Sequence, residues 1–377
     1  MSDFDVIVVG GGVIGLAAAW RMAQRDLRVV VLERGEPGGG TSSIAAGMVA
    51  PIAEADPGEE ALLRLGISSA QAYPRFVADV EAASGLDAGY LRCGTLAVAR
   101  DRDEAEELEH QLAIRERLGL DVKPLRPSQA RALEPALAPT LRKALQFPDD
   151  HAIDPRCLTA ALAQAVTAAG AQLRAHTGVS AVEIARGAVR GVTLPGGERL
   201  TAPHLVVAAG VWSVALAGIP EQAGIPLRPV KGQIMRLHDP AGPGLLTRVL
   251  RIPTAYVVPR GDGRYALGAT MEERGFDTTV TAGAVFELLR DAGELLPGIS
   301  ELVIDELSAG LRPGTPDNAP VIGTGTVPGL HWAAGHYRHG ILLAPLTAEM
   351  VAGVVEGAPV PEEFSPLRFA RVKATVR

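Results

Sequence analysis

Between Gly10 and Glu33 the chain carries the residue types needed to hold a dinucleotide. Gly10-Gly11-Gly12-Val13-Ile14-Gly15 contains the spacing G-x-G-x-x-G, and Glu33 follows eighteen residues after the last of these glycines. Gly10 permits a tight turn, Gly12 lets backbone approach a pyrophosphate, and Gly15 lets a helix pack close to a strand. The free N–H groups at a helix N-terminus, together with its positive dipole end, attract phosphate. A carboxylate at Glu33 can accept hydrogen bonds from a ribose diol. A glycine-rich turn in some other α/β protein would explain the loop but not the acid. The pattern therefore reads as dinucleotide binding.

These groups must be positioned by a βαβ unit. Val6 to Val9 is a short β-branched run of the kind that forms a fully buried parallel strand. A helix-like stretch runs to about Arg25, and a second apolar run, Arg28 to Leu32, ends at Glu33. Beyond it lie Gly38 to Gly40 and then Thr41-Ser42-Ser43-Ile44-Ala45-Ala46-Gly47-Met48. Small residues here fit backbone packed against a ligand. They fit equally a helix start capped by Thr41 or Ser42, and the two are compatible because a helix N-terminus is itself an anion site.

Helical spacing recurs at residues 59 to 83 and 102 to 118, the latter a charged face given no function. Asp154-Pro155 reads as a cap and first-turn proline opening a helix to about Ala169. From Ala171 to Gly210 short strands take over, with Pro195-Gly196-Gly197 as a hairpin turn and a strand from His204 to Ala208 leading into Ala209-Gly210. Further strands are expected at Gly232 to Leu237, Tyr256 to Pro259, Tyr265 to Gly268 and Val303 to Leu307. Helices are expected at about Ala282 to Leu295 and Gly340 to Glu356. The dinucleotide elements thus come from the start, middle and end of the chain, with antiparallel sheet between. Two interleaved domains follow, an α/β unit and an α+β unit.

Composition narrows the class. The 377 residues suit two domains, and 47% hydrophobic against 21% charged content supports a large ordered core. A net charge of −7 argues against nucleic acid as a partner. Cys93 and Cys157 make neither a metal cluster nor a disulfide framework, which fits a reducing cytoplasm. The apolar N-terminal stretch begins with acids and is broken by glycines, unlike a signal peptide. No uninterrupted apolar run reaches the length of a membrane span. The eight histidines show no metal-ligand spacing, and no Ser-His-Asp or paired-carboxylate constellation stands out.

The whole chain resembles the flavin-dependent amine oxidases of the D-amino-acid oxidase and sarcosine oxidase superfamily, most closely the bacterial glycine oxidases linked to thiamine biosynthesis. Four stretches carry the resemblance: VIVVGGGVIGLAAAWRMA, TSSIAAGMVAP, AYVVPRGDGRYALGATME, and AGLRPGTPDNAPVIG with AAGHYRHGILLAP. It implies a Rossmann-like, glutathione-reductase-like FAD-binding domain formed by 1–85, 150–222 and 308–377. A mainly antiparallel substrate domain, 86–149 and 223–307, would be interleaved with it. FAD would then meet Gly10, Gly12, Val13, Ile14, Gly15, Glu33 and Arg34, and the stretch Thr41, Ser42, Ser43, Ala46, Gly47 and Met48. Val179 would lie by the adenine, Ala209, Gly210 and Trp212 along the phosphates, and His336, Tyr337, Arg338, His339, Gly340, Ile341 and Leu342 at the flavin end.

For the substrate, the resemblance implies that Arg312 binds the carboxylate, since a guanidinium fork matches it bidentately. Tyr256 would support the same carboxylate, Met271 would form an apolar wall, and Arg338 would stand near the amine end or the flavin. Thr254 occupies the position of a family histidine, which bears on substrate preference. Relatives with covalent flavin use a C-terminal cysteine or an N-terminal histidine. Here no cysteine follows Cys157 and the first histidine is His110, so the FAD is expected to be non-covalent. The remaining implications are a small amino acid and dioxygen as reactants, and a homo-oligomer, a tetramer being one form.

Overall fold

The computed structural model describes residues 2–369. Val6–Val9 pairs in parallel with Val29–Leu32 on one side and His204–Val207 on the other. Gln172–Arg174 extends this sheet beyond Val29–Leu32. Leu330–Ala334 extends it beyond His204–Val207, and antiparallel Val321–Thr324 closes that edge. The strand order is thus Val321–Thr324, Leu330–Ala334, His204–Val207, Val6–Val9, Val29–Leu32, Gln172–Arg174. Start, middle and end of the chain meet in one sheet, as the sequence reading requires.

Alternation within these strands supplies two buried faces. Val6, Val8, Val29 and Val31 face a core shared with the helices Val13–Ala23, Glu60–Ser84, Pro155–Ala168 and Gly340–Val355. Ile7, Val9, Val30 and Leu32 face a second core under an antiparallel meander, Ala181–Ala185, Ala188–Thr193 and Arg199–Thr201. The Pro195-Gly196-Gly197 turn joins the last two of these strands. Asp154 caps Pro155–Ala168 by accepting the Arg156 N–H, with Pro155 in the first turn as expected.

The second large element is an eight-stranded sheet ordered Val303–Gly314, Arg228–His238, Arg264–Gly268, Tyr256–Pro259, Val249–Arg251, Thr95–Ala99, Lys143–Phe147, Lys123–Leu125. All its pairings are antiparallel except Val249–Arg251 with Thr95–Ala99. The helix Ala282–Leu295, capped by Thr281, covers a core on this sheet that includes Leu96, Met235, Val257, Leu267 and Leu288. Val303–Gly314 is longer than the expected strand ending at Leu307. It pairs with Arg228–His238 along its whole length, so a domain boundary at 307/308 falls inside a continuous strand. That extension places Arg312, paired with Val230 in the sheet, at the cavity it shares with the dinucleotide elements.

Candidate active site

A cavity of about 400 Å³ runs from the glycine loop to the large sheet. At one end, Gly10 has φ +108°, and a Cβ there would sit 2.5 Å from the Ala208 carbonyl oxygen. A Cβ on Gly15 would sit 1.9 Å from the Gly10 oxygen, so helix and strand approach as closely as backbone allows. The Gly11 N–H donates to Glu33 Oε2 at 2.7 Å and the Gly35 N–H donates to Oε1 at 2.8 Å. Each oxygen keeps acceptor capacity for a diol. Ser42 Oγ accepts the Val13 N–H at 3.0 Å, tying the second loop to the first turn of Val13–Ala23. The short helix Thr41–Ile44 has Gly40, not Thr41 or Ser42, at its N-cap. The two hydroxyls are turned elsewhere: Thr41 Oγ1 donates to the Leu311 carbonyl at 2.8 Å.

Arg34 lies over the ring of Trp212, 4.1 Å from its centroid, and both line the cavity with Gly178, Val179, Ala209 and Gly210. Phe276, from beyond the large sheet, packs on Trp212 with ring centroids 4.7 Å apart. Gly340 and Ile341, at the N-terminus of Gly340–Val355, open on the same space. Tyr73 Oη and Ser69 Oγ from Glu60–Ser84 donate to the Ile341 and Leu342 carbonyls, which fixes that end of the helix.

At the other end stand Arg312 and Tyr256. Arg312 Nη1 donates to the Thr270 carbonyl at 3.1 Å and the Lys231 carbonyl at 3.4 Å, and its charge has no carboxylate partner among the described residues. A Cβ at Gly232 would lie 2.3 Å from Arg312 Nη1, so only glycine leaves room for the guanidinium across the sheet. Burial pushes the Tyr256 hydroxyl upward in pKa against the opposing pull of Arg312, keeping it a neutral donor. Arg338 Nη2 pairs with Asp56 Oδ2 at 2.5 Å. Burial works against the charge of Arg338, but Glu54 and Asp56 outweigh it and its pKa is raised. His336 is buried, shares a 3.0 Å hydrogen bond with Thr347 Oγ1, and is held down to about 3 by burial and then by His339.

The cavity brings together Gly10, Gly12, Val13, Ile14, Glu33, Arg34, Thr41, Ser42, Ala46, Gly47, Met48 and Val179. It also gathers Ala209, Gly210, Trp212, Tyr256, Arg312, His336, Tyr337, Arg338, Gly340 and Ile341. Five expected residues stand behind or beside it. Gly15 is the helix–strand contact, and Leu342 is core. Ser43 Oγ donates back to the Gly40 carbonyl, and His339 precedes Gly340–Val355. Met271 is 62% exposed and outside the lining, its sulfur accepting from Tyr337 Oη at 2.8 Å. Thr254 is exposed, bonds to Asp291 and does not reach the cavity. Glu54, Ile44, Gly232 and Gly310 line the cavity and were not singled out from sequence. Lys231, which precedes Gly232, is buried and paired with Asp277 at 2.7 Å.

A family model described as DAO, FAD dependent oxidoreductase, matches residues 5–354. The chain belongs to this family. It is 36% identical over 366 residues to a glycine oxidase of Bacillus licheniformis, covering 96% of this chain and 95% of that one. It is 37% identical over 374 residues to a bifunctional ThiO/ThiG protein of Synechocystis, covering 97% of this chain and 54% of that one. The crystal structure of glycine oxidase from Geobacillus kaustophilus superposes with a TM-score of 0.89 at 34% identity, covering 98% and 99% of the two chains. The protein is therefore an FAD-dependent amino-acid oxidase by family. Its residues fit the cofactor: a Gly10–Gly12 cradle that side chains would fill, a Glu33 carboxylate fixed by two N–H groups, and an open channel from there to Arg312. No helix among the described residues is long and apolar enough to cross a membrane.

Proposed function

We propose that the protein oxidises a small amino acid such as glycine, sarcosine or a small D-amino acid to the imine, which water hydrolyses to the oxo acid and ammonia (methylamine from sarcosine), with dioxygen reduced to hydrogen peroxide. The observation that carries this reading is the Arg312 guanidinium, without a carboxylate partner among the described residues and lining the cofactor cavity with Tyr256. A bidentate carboxylate contact fixes the α-carbon, so the reacting C–H is oriented by binding alone. FAD supplies the two-electron acceptor when bound. No side chain has to remove a proton from carbon; the groups at this end, Arg312, Arg338, Tyr256, Glu54 and a neutral His336, bind and orient. The N-terminus of Gly340–Val355 favours negative charge where it opens on the cavity.

The same reading makes the FAD non-covalent, the protein cytoplasmic and the chain a homo-oligomer. It places 1–85, 150–222 and 308–377 in the FAD-binding unit and 86–149 and 223–307 in the substrate unit, with the strand Val303–Gly314 passing between them. Anaerobic mixing with glycine, sarcosine, D-alanine and D-proline should bleach the flavin, and air should restore it with peroxide formed. Bleaching without peroxide, but with reduction of an artificial dye, would make it a dehydrogenase. No bleaching by any amino acid would reject the reading. Acid denaturation should release FAD to the supernatant, and light scattering on the eluted holoenzyme should report more than one chain.

A further inference from the structure

We propose that Glu54 is the group that receives the substrate's amine, opposite the carboxylate pair Arg312 and Tyr256. The inference rests on the amino-acid oxidase reading and deepens it. Glu54 lines the cavity that holds Arg312, Tyr256 and Arg338. It is only 9% exposed, and although its charge acts on Arg338 and His339, its carboxylate makes no hydrogen bond or ion pair to a side chain among the described residues. A buried carboxylate without a hydrogen-bonded partner is costly until one arrives. The Arg338 guanidinium feels the Glu54 charge, but its Nη2 bonds to Asp56 Oδ2 and it makes neither a hydrogen bond nor an ion pair to Glu54. A bound amino acid presents one anionic and one cationic end. At this end the cavity presents the Arg312 guanidinium without a carboxylate partner and the Glu54 carboxylate without a hydrogen-bonded one among the described residues.

Glu54 is also held in place by an unusually costly arrangement. Asp150, fully buried, accepts the N–H groups of Ile52 and Ala53 at 3.3 and 2.5 Å. Arg115, 3% exposed, donates to the carbonyls of Ile52, Ala53 and Ala55 at 2.9, 3.4 and 3.1 Å. Arg251 donates to the Ala53 carbonyl as well. Three ionisable side chains from three distant segments thus grip the backbone on both sides of Glu54; Asp150 and Arg115 are buried, and burial lifts the Asp150 carboxyl to about 7. Ordinary loop packing does not need buried charges. A site that must hold a carboxylate to within a fraction of an ångström does.

The test compares a ligand with an amine against one without. In Glu54→Gln holoenzyme, of the same size but uncharged, the Kd for glycine from anaerobic flavin reduction should rise at least about tenfold, roughly 1.4 kcal/mol. The Kd for propionate, read from the perturbed flavin spectrum, should stay within about twofold. Glu54→Asp keeps the charge and should recover part of the glycine affinity. FAD content and thermal midpoint report folding of both variants. Equal weakening of glycine and propionate would make Glu54 a structural residue and overturn the proposal, as would unchanged affinity for both. If the wild-type flavin is reduced by no amino acid, the underlying function fails first, and this proposal with it. That outcome is distinct because it appears before any variant is made.

Discussion

The two ends of the cavity are built by different means. The dinucleotide end is made of backbone. Its geometry comes from Gly10, Gly12 and Gly15, three residues with no side chain, and from the Gly11 and Gly35 N–H groups that fix Glu33. The amino-acid end is made of side chains: Arg312 from Val303–Gly314, Tyr256 from Tyr256–Pro259, Glu54 from a loop, and Arg338 from the turn before Gly340–Val355. Backbone cradles need close approach, so they fail by collision. Side-chain sites need fixed direction, so they fail by loss of charge or tilt.

The sharpest break in that contrast should come from Gly15→Ala. Its Cβ would fall 1.9 Å from the Gly10 oxygen, and both atoms belong to backbone that cannot yield without moving the strand or the helix. Overpacking of this kind costs about 3 kcal/mol at the upper end of its usual range. The variant should be recovered with little or no FAD and a lowered thermal midpoint. Full FAD content at normal stability would show that the loop is not the rigid cradle described here.

Arg312→Ala should act on the other end alone. A charged bidentate pair in a dry pocket is worth about 2–5 kcal/mol, much of it the cost of leaving the substrate carboxylate unpaired. The protein should stay yellow and stable while its apparent affinity for glycine or D-alanine collapses. If affinity is unchanged, Arg312 is not in the substrate site.

The two ends were unequally legible, for a physical reason. Gly10 to Glu33 is one contiguous stretch in which each residue's job follows from its type and spacing, so the βαβ unit and its ligand class could be read directly. Short continuous apolar runs likewise located Val6–Val9, His204–Val207 and Tyr256–Pro259. Arg312 and Tyr256 are meaningful only once Val303–Gly314 and Tyr256–Pro259 are placed in one sheet, and that placement came through family resemblance. Glu54 left no local signal. Its burial depends on Asp150, Arg115 and Arg251, none of which is near it in sequence. Strands Thr95–Ala99, Lys123–Leu125 and Lys143–Phe147 were also missed, being short segments whose pairing is with distant strands.

Gly232 sharpens the comparison because it is a glycine that serves the side-chain end. Gly232→Ala would set a Cβ 2.3–2.5 Å from three atoms of the Arg312 guanidinium. The guanidinium is the far end of a flexible chain, so it should swing aside rather than unfold the sheet. Displacement by about 1 Å can cost on the order of 100-fold in rate. The expected variant is yellow, stable and about 100-fold slower in kcat/KM with glycine. A loss of FAD instead would mean that Gly232 belongs to the backbone end.

The smallest effect should come from Met271, the residue the family resemblance places in the pocket wall. Its side chain is 62% exposed and lies against Tyr337 Oη, outside the lining of the cavity. A wall residue that discriminated against larger side chains would have to be in van der Waals contact with them. An exposed side chain away from core and charges usually alters stability by no more than about 0.5 kcal/mol. Met271→Ala should therefore leave the ratio of D-alanine to D-phenylalanine oxidation within about twofold of the unmodified protein. Peroxide production across a series from glycine to D-phenylalanine measures this. If Met271→Ala raised D-phenylalanine turnover tenfold or more, the loop carrying Met271 would have to fold inward over bound substrate. The amino-acid end would then be completed by a part of the chain that lies outside the cavity before binding.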